Sequence, residues 1–227
     1  MNCYWYIKKF ISLICFSLLI QLSFGQQKAT GSWTLITIKH NFNAKWNGYV
    51  EYQIRSLSPY SRFYYNEIEA GTSYSIHKNT SATFGTGYYD IFNEGEKFDN
   101  YKKKTEFRIW EQFSIKQHFY SIELQHRFRL EQQFVDSYTN RFRYRLNATI
   151  PINNKEIKPK TVYFSLYDEV FFSEKVPNFS KNRFYVGPGY VFNQQFTLQA
   201  GLLKQVEFSV GSQRRKNYLF TSFTYTF

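Results

Sequence analysis

The feature of this sequence that most restricts the fold is an alternation of polar and apolar residues with a period of two. In residues 121–134, SIELQHRFRLEQQF, every second side chain from Glu123 to Glu131 is polar or charged. The intervening side chains are Ile122, Leu124, His126, Phe128 and Leu130. Successive side chains of a β-strand point to opposite faces, so this alternation predicts a strand with one polar and one mostly apolar face.

The same period recurs along most of the chain, and no helical period competes with it. The predicted strands are 31–39, 48–56, 66–76, 80–92, 105–115, 121–134, 140–150, 161–171, 182–192, 196–206 and 217–227. About 9–11 residues suffice for a tilted strand to cross the hydrocarbon of a bilayer. Eleven strands conflict with the even number that is usual in bacterial barrels. Either 31–39 is not a wall strand, which gives ten, or one strand has been missed, which gives twelve.

The first 25 residues have the layout of a secretory signal peptide. Lys8 and Lys9 form a positively charged start, residues 10–24 are mostly apolar, and a small residue precedes the expected cleavage. The apolar part is too short for a membrane-spanning helix. Both cysteines, Cys3 and Cys15, lie in this segment. The expected mature chain, 26–227, therefore has no thiol for a disulfide, a metal site or a nucleophile.

The sequence combines a high aromatic content with an absence of long apolar runs, and this combination indicates the fold class. The chain has 25 Phe and 20 Tyr, yet its mean hydropathy is −0.50. This combination is typical of a membrane barrel, in which only alternate residues meet lipid. We therefore predict an all-β fold, an antiparallel up-and-down transmembrane β-barrel of 10–12 strands in the cell outer membrane.

A soluble barrel or sandwich with an apolar core is the alternative for the same alternation. The polar faces decide against it, because they are rich in Gly, Ser, Thr, Gln and paired opposite charges, which suit a crowded lumen. Most lysines lie in the predicted connectors instead of on these faces.

The predicted connectors alternate between short and longer segments. The short ones are 77–79, 116–119 and 193–195, and the mostly longer, polar ones are 57–64, 93–104, 132–139, 173–181 and 207–216. Short periplasmic turns and longer outer loops alternate in this way in outer-membrane barrels. The long connector 151–160 is the exception. The chain ends on an aromatic strand with Phe227, which resembles the signal that the barrel assembly machinery reads.

The net positive charge of the chain indicates which binding partners to expect. The formal net charge is +12, and about +10 without Lys8 and Lys9, enough to attract anions. Export argues against nucleic acid, so we expect outer-membrane lipid, with lipopolysaccharide phosphates as the anions. The candidate contacts in two predicted outer loops are Lys102, Lys103, Lys104, Arg214, Arg215 and Lys216. Solvated loop tips are the alternative interpretation of these six cations.

The polar faces of the predicted strands carry charges that we expect to line the lumen. The members of this network are Glu123, Arg127, Arg129, Glu131, Arg141, Arg143, Arg145, Glu169 and Arg183. A hairpin loop at 132–140 places Arg129 opposite Arg143 and Arg127 opposite Arg145, and like charges directly opposite each other cost energy. Further glutamates predicted on the same faces can supply counter-charge: Glu51, Glu67, Glu69 and Glu106.

Two functions remain open for such a lumen. A salt-bridge network can fill a narrow lumen and give a non-enzymatic barrel that does not conduct. Charged rings can instead form a narrow anion-preferring pore. Conductance, and its response to Arg143→Glu, separates the two.

An outer-membrane enzyme acting on lipid is the third possibility. Ser121 and His126 point to opposite faces of one strand, as do Asp168 and Glu169, so neither pair forms a catalytic arrangement. No cofactor or metal site is predicted, because three histidines in connectors at one end lack close ligand spacing: His40, His77 and His118.

Five stretches and the terminal Phe227 form a recognisable combination: GSWTLI (31–36), LQHRFRLEQQF (124–134), RFRYRLNATIPINNKEI (141–157), SLYDEVFF (165–172) and KNRFYVGPGYVFNQQFTLQAG (181–201). They resemble an uncharacterised family of outer-membrane proteins from Bacteroidetes, domain of unknown function 2490. Together they cover most of the expected mature chain, and the signature lies in their combination. The resemblance implies an envelope β-barrel and transfers no activity.

Overall fold

The structure, a computed structural model, describes residues 30–93, 102–135 and 137–227, and the expected signal peptide lies outside these ranges. Regular structure in the described residues consists of eleven β-strands. They are β1 (Thr30–Asn41), β2 (Trp46–Ser58), β3 (Ser61–His77), β4 (Thr80–Phe92), β5 (Lys102–Phe119), β6 (Ile122–Phe134), β7 (Tyr138–Pro151), β8 (Thr161–Ser173), β9 (Phe179–Val191), β10 (Phe196–Ser209) and β11 (Ser212–Thr226). Within the same ranges, no helix has the length and apolar character needed to cross a membrane.

The strands form one closed barrel in sequence order. Each strand pairs antiparallel with its sequence neighbours, and β1 closes the barrel by pairing parallel with β11. An odd number of up-and-down strands must close in this way, because the first and last strands run in the same direction. The segment expected at 31–39 is therefore a wall strand, and the expectation of an even count was wrong.

The strand connections gather at two ends of the barrel. The loop end carries the connections β2–β3, β4–β5, β6–β7, β8–β9 and β10–β11. The C-terminal end carries the other connections and Phe227, whose backbone N–H donates to the carbonyl oxygen of Lys39 at 3.0 Å. Because β1 and β11 are parallel, Thr30 and Phe227 lie at opposite ends.

Two predicted long loops, 57–64 and 207–216, are two-residue turns in the structure. β10 continues to Ser209 and β11 begins at Ser212, so the connector expected at 207–216 is two residues long. Its polar residues pair across the hairpin, for example Glu207 with Arg214, and extend the strands. Gly211 supports the turn with φ of 71°, a backbone conformation that favours glycine. The long connector predicted between β7 and β8 is confirmed at 152–160.

Two turns at the C-terminal end share one local device. The side-chain Oδ1 atoms of Asn43 and Asn193 each accept hydrogen bonds from the backbone N–H groups two and three residues on, at 2.7–3.0 Å. This Asx-type capping reverses the chain between β1 and β2 and again between β9 and β10.

Side chains alternate between the outside and the inside of the barrel along each strand. Many large apolar side chains on the outer surface are exposed, among them Ile38, Val50, Ile68, Phe84, Leu130, Phe142, Leu202 and Leu219. Aromatic residues and charged groups fill the interior, where Trp110, Tyr89 and Tyr185 are fully buried. The outer surface of the barrel is therefore apolar, and its packed interior is aromatic and ionic.

Candidate functional site

A layer of charged side chains crosses the interior of the barrel. It is built from seven strands, β2, β3 and β5 to β9, and we call it the charged layer. Its members are Arg55, Glu67, Glu69, Glu106, Arg108, Arg127, Arg129, Glu131, Arg141, Arg143, Arg145, Glu169 and Arg183. Eight arginines thus share five glutamates, which leaves an excess of positive charge in the lumen.

Glu169 on β8 is fully buried and is shared by four arginines. Its Oε1 accepts from Nη2 of Arg127 at 2.6 Å and from Nη2 of Arg143 at 2.8 Å. Its Oε2 accepts from Nη2 of Arg145 at 3.0 Å and lies 3.5 Å from Nη1 of Arg183. Charge-assisted contacts from three neighbouring strands therefore converge on one carboxylate.

Glu131 on β6 is the second fully buried carboxylate. It accepts hydrogen bonds from Arg141 and from Arg143 on β7. Nη1 of Arg108 and Nη1 of Arg129 lie 3.9 Å and 3.8 Å from its oxygens. Arg143 bridges Glu131 and Glu169 and so joins the two clusters.

The remaining carboxylates extend the layer around the barrel. Arg129 reaches Glu69 on β3 at 3.3 Å, and the hydroxyl of Tyr89 donates to the same carboxylate. On the far side, Arg55 pairs with Glu67 at 2.9 Å. Arg108 pairs with Glu106 at 2.7 Å on its own strand.

Aromatic rings lie against the guanidinium groups of the charged layer. Arg129 lies 3.8 Å from the centre of the Trp110 ring, and Arg108 lies 3.6 Å from that of Tyr89. The ring of Phe171 faces Arg143 at 4.7 Å. Such stacking holds planar guanidinium groups in place, and each contact contributes about 0.5–2 kcal/mol depending on desolvation.

The β6–β7 register is the one expected from the sequence. Arg127 faces Arg145, Arg129 faces Arg143, and Glu131 faces Arg141. The like-charge pairs are compensated from other strands, by Glu169 on β8 and by Glu69 on β3.

The structure brings together eight of the nine predicted network residues. Glu123 lies apart from them, near the C-terminal end, where its carboxylate contacts Nζ of Lys116 at 3.1 Å and Nε2 of His118 at 3.4 Å. Sequence reasoning did not select Arg55 and Arg108 for the network. Their place on the polar faces of β2 and β5 was the available signal, but their partners on other strands were not visible.

A cavity of about 1390 Å³ runs along the lumen. We call its part between the charged layer and the C-terminal end the vestibule. Most side chains that line it are uncharged and polar, including Ser114, Gln125, Asn147, Tyr163, Ser165 and Gln199, and the charged ones include Lys39, Glu51, Lys116 and Glu123. The interior is thus dense and ionic in one layer and open and polar next to it.

The six cations proposed for lipopolysaccharide lie at the loop end, on the first residues of β5 and β11. Lys102 pairs with Asp90 at 2.9 Å, and Lys104 lies 4.0 Å from Glu106. Lys216 lies over the ring of Tyr64, while Lys103, Arg214 and Arg215 are exposed. These cations therefore extend two strands, β5 and β11, at the rim of the barrel. Four of them also line the lumen cavity: Lys103, Lys104, Arg214 and Lys216.

A second contact at the loop end ties β7 to the β8–β9 connection. Asn140 donates from its backbone and side-chain N–H groups to Glu174, and these hydrogen bonds lower the pKa of the exposed Glu174 carboxyl.

In the part of the chain that the structure describes, no three His, Cys, Asp or Glu side chains are grouped as metal ligands would be.

The model of a protein family of unknown function, DUF2490, matches residues 30–216. The chain belongs to the DUF2490 family. No curated protein and no solved structure matches it. The matched range of this DUF2490 member contains the whole charged layer.

Proposed function

We propose that this DUF2490 member is a non-enzymatic outer-membrane β-barrel whose lumen is closed by the charged layer. The opposite placement of apolar and charged side chains carries the proposal. Phe84 is 58% exposed on the outer surface, while Glu131 and Glu169 are 0% exposed inside. A water-soluble barrel buries its apolar face and exposes its charges, and this barrel does the reverse.

Energetics favour lipid as the outer solvent. Contiguous apolar surface around a whole barrel is far larger than a soluble monomer tolerates, and hydrocarbon removes it from water. Closure of the barrel satisfies the backbone hydrogen bonds that lipid cannot satisfy. The expected signal peptide, 1–25, supports export to a membrane where such barrels occur.

The proposed partners follow from the same orientation. Outer-membrane lipid surrounds the wall, and lipopolysaccharide phosphates contact the rim cations at the loop end. The C-terminal strand ending in Phe227 presents the assembly signal. No nucleic acid partner is proposed.

Membrane fractionation with a heat-modifiability gel tests the membrane barrel, and planar-bilayer recording tests closure of the lumen. We expect the protein in the outer-membrane fraction, a faster-migrating band without boiling, and conductance near the baseline. Recovery in a soluble fraction would contradict the membrane proposal. An assay of lipid or acyl-chain turnover with the same sample tests the non-enzymatic proposal, and turnover would contradict it.

A narrow anion-preferring pore is the second candidate, and the excess of arginine over glutamate in the charged layer favours it. It predicts measurable conductance with anion preference. Arg143→Glu then reverses or reduces that preference, whereas Lys155→Glu in an exposed connector does not. A baseline current in both the wild type and Arg143→Glu would rule this candidate out.

A further inference from the structure

We propose that Arg127 and Arg145 form a binding site for a small oxyanion at the floor of the vestibule. The ligand class is a small molecule that carries a phosphate or carboxylate group. This site goes beyond the proposed function, since it holds whether or not the barrel conducts.

The first observation is a local deficit of negative charge. Arg127 and Arg145 face each other directly across the β6–β7 ladder. Among the described residues, the one carboxylate with which either forms an ion pair is Glu169, which also serves Arg143 and Arg183. Glu169 offsets this like-charge pair only in part, because one carboxylate is shared by four guanidinium groups.

The second observation is that these two arginines reach open space. Their side chains are 17% and 23% exposed, whereas the other arginines of the charged layer are at most 14% exposed. Both line the cavity. They therefore form the face of the charged layer that a ligand entering from the vestibule meets first.

The third observation is an unused donor. Nε of Arg145 is buried and has no hydrogen-bond partner among the described residues. A buried N–H group without a partner is costly, so Arg145 keeps a hydrogen-bond donor that Glu169 does not use. The guanidinium lies 4.2 Å from the centre of the Tyr167 ring, which fixes its plane.

The surroundings suit a polar ligand of modest size. Ser114 faces Arg127 on β5, and Asn147 and Gln125 face each other one step toward the C-terminal end. Their hydroxyl and amide groups can donate to ligand oxygens. The whole lumen cavity, about 1390 Å³, exceeds the roughly 300–1,000 Å³ of usual small-molecule sites, so there is room for a group attached to the anion. Paired guanidinium groups recognise phosphate and carboxylate in the same way.

Calorimetric titration of the protein folded in detergent micelles tests the site. Inorganic phosphate and acetate serve as separate probes, each at constant ionic strength against chloride. We expect saturable one-to-one binding of at least one probe to the wild type. Tighter binding of phosphate assigns a phosphate-bearing ligand, and tighter binding of acetate assigns a carboxylate.

The decisive variant is Arg127→Gln/Arg145→Gln, with Lys155→Gln/Lys158→Gln as its control. The control removes the same charge at the same end of the barrel from residues outside the cavity lining. Affinity should fall about tenfold or more in the arginine variant, because charge-assisted hydrogen bonds are lost, and stay unchanged in the control. Absence of saturable binding to the wild type, or equal loss in both variants, would overturn the proposal.

A purely structural role for the two arginines predicts a different result. If they serve only to neutralise Glu169, the arginine variant loses stability and the wild type binds neither probe. Under our proposal, removing Arg127 alone lowers the urea midpoint little, because three arginines still neutralise Glu169 and the repulsion between Arg127 and Arg145 is removed. Arg127→Gln also keeps the binding test available if the double variant does not fold.

Discussion

Glu169 shows how one residue organises the interior. The carboxylate is fully buried, which is costly for an isolated charge, yet four arginines surround it. Each of those arginines projects from a strand next to β8 or one strand further away. A single side chain therefore links the side chains of β6, β7, β8 and β9.

We predict that Glu169→Gln destabilises the barrel strongly. The substitution preserves shape but leaves several buried guanidinium groups without their shared counter-charge, a change that costs about 3–5 kcal/mol in comparable buried pairs. The urea midpoint of the band that migrates as a folded barrel measures it. Glu156→Gln, in the exposed connector between β7 and β8, is the matched control. Equal midpoints for both variants would show that the network around Glu169 is not required.

Packing at the residue scale is equally tight at Gly85. A Cβ atom there would lie 2.1 Å from Cζ2 of Trp110, whose ring stacks on Arg129. Glycine at this position lets the Trp110 ring lie against the backbone of β4.

Gly85→Ala is therefore expected to displace Trp110 and lower the free energy of unfolding by about 1–3 kcal/mol. Tryptophan fluorescence should shift as the ring moves. Gly48→Ala serves as control, since the nearest atoms there belong to the exposed ring of Phe42 at 3.0 Å. An unchanged spectrum and stability for Gly85→Ala would contradict the packing described.

At the scale of elements, the parallel seam between β1 and β11 decides the strand number. Ten ladder pairs join the two strands, from Thr30 with Asn217 to Lys39 with Thr226. Without this seam, β1 and β11 would be the edges of an open eleven-stranded sheet. Exposed edges invite pairing with other chains, so closure by β1 protects the wall.

A disulfide tests the seam. Thr34 and Thr221 are ladder partners, both with outward side chains, and the described residues contain no native cysteine to compete. Thr34→Cys/Thr221→Cys should cross-link under mild oxidation. Thr34→Cys/Tyr225→Cys should not, because four residues along a strand displace the thiols by about 13 Å. Cross-linking of the second pair alone would mean another register, and cross-linking of neither would remove β1 from the wall.

The elements also show what sequence could predict. The period of two places Arg129 and Arg143 inside and Phe128 and Tyr144 outside, and it needs only local information. The ends of the strands were harder to predict. Glu207 and Arg214 are polar and resemble loop residues in the sequence, and only the structure shows that they pair across the hairpin. The contacts of Arg129 with Glu69 and Trp110 join distant segments, and no local pattern in one sequence specifies them.

At the scale of the whole molecule, the barrel has two different halves along its axis. One level is filled by charged and aromatic side chains, and the level toward the C-terminal end is open and polar. The filled level joins the strands through ion pairs, and the open level gives room for a ligand. Under the proposed function, the charged layer closes the lumen, and its face toward the C-terminal end stays available to a ligand.

The most direct test of the account is a nitroxide scan along β10 of the protein reconstituted in lipid vesicles. Labels at Leu198, Ala200 and Leu202 should collide with oxygen dissolved in the bilayer, and labels at Thr197 and Gln199 should collide with a water-soluble nickel complex. The two profiles should alternate with a period of two and opposite phase. High nickel accessibility at Leu198, Ala200 and Leu202, with protection at Thr197 and Gln199, would contradict a barrel with lipid outside and charges inside.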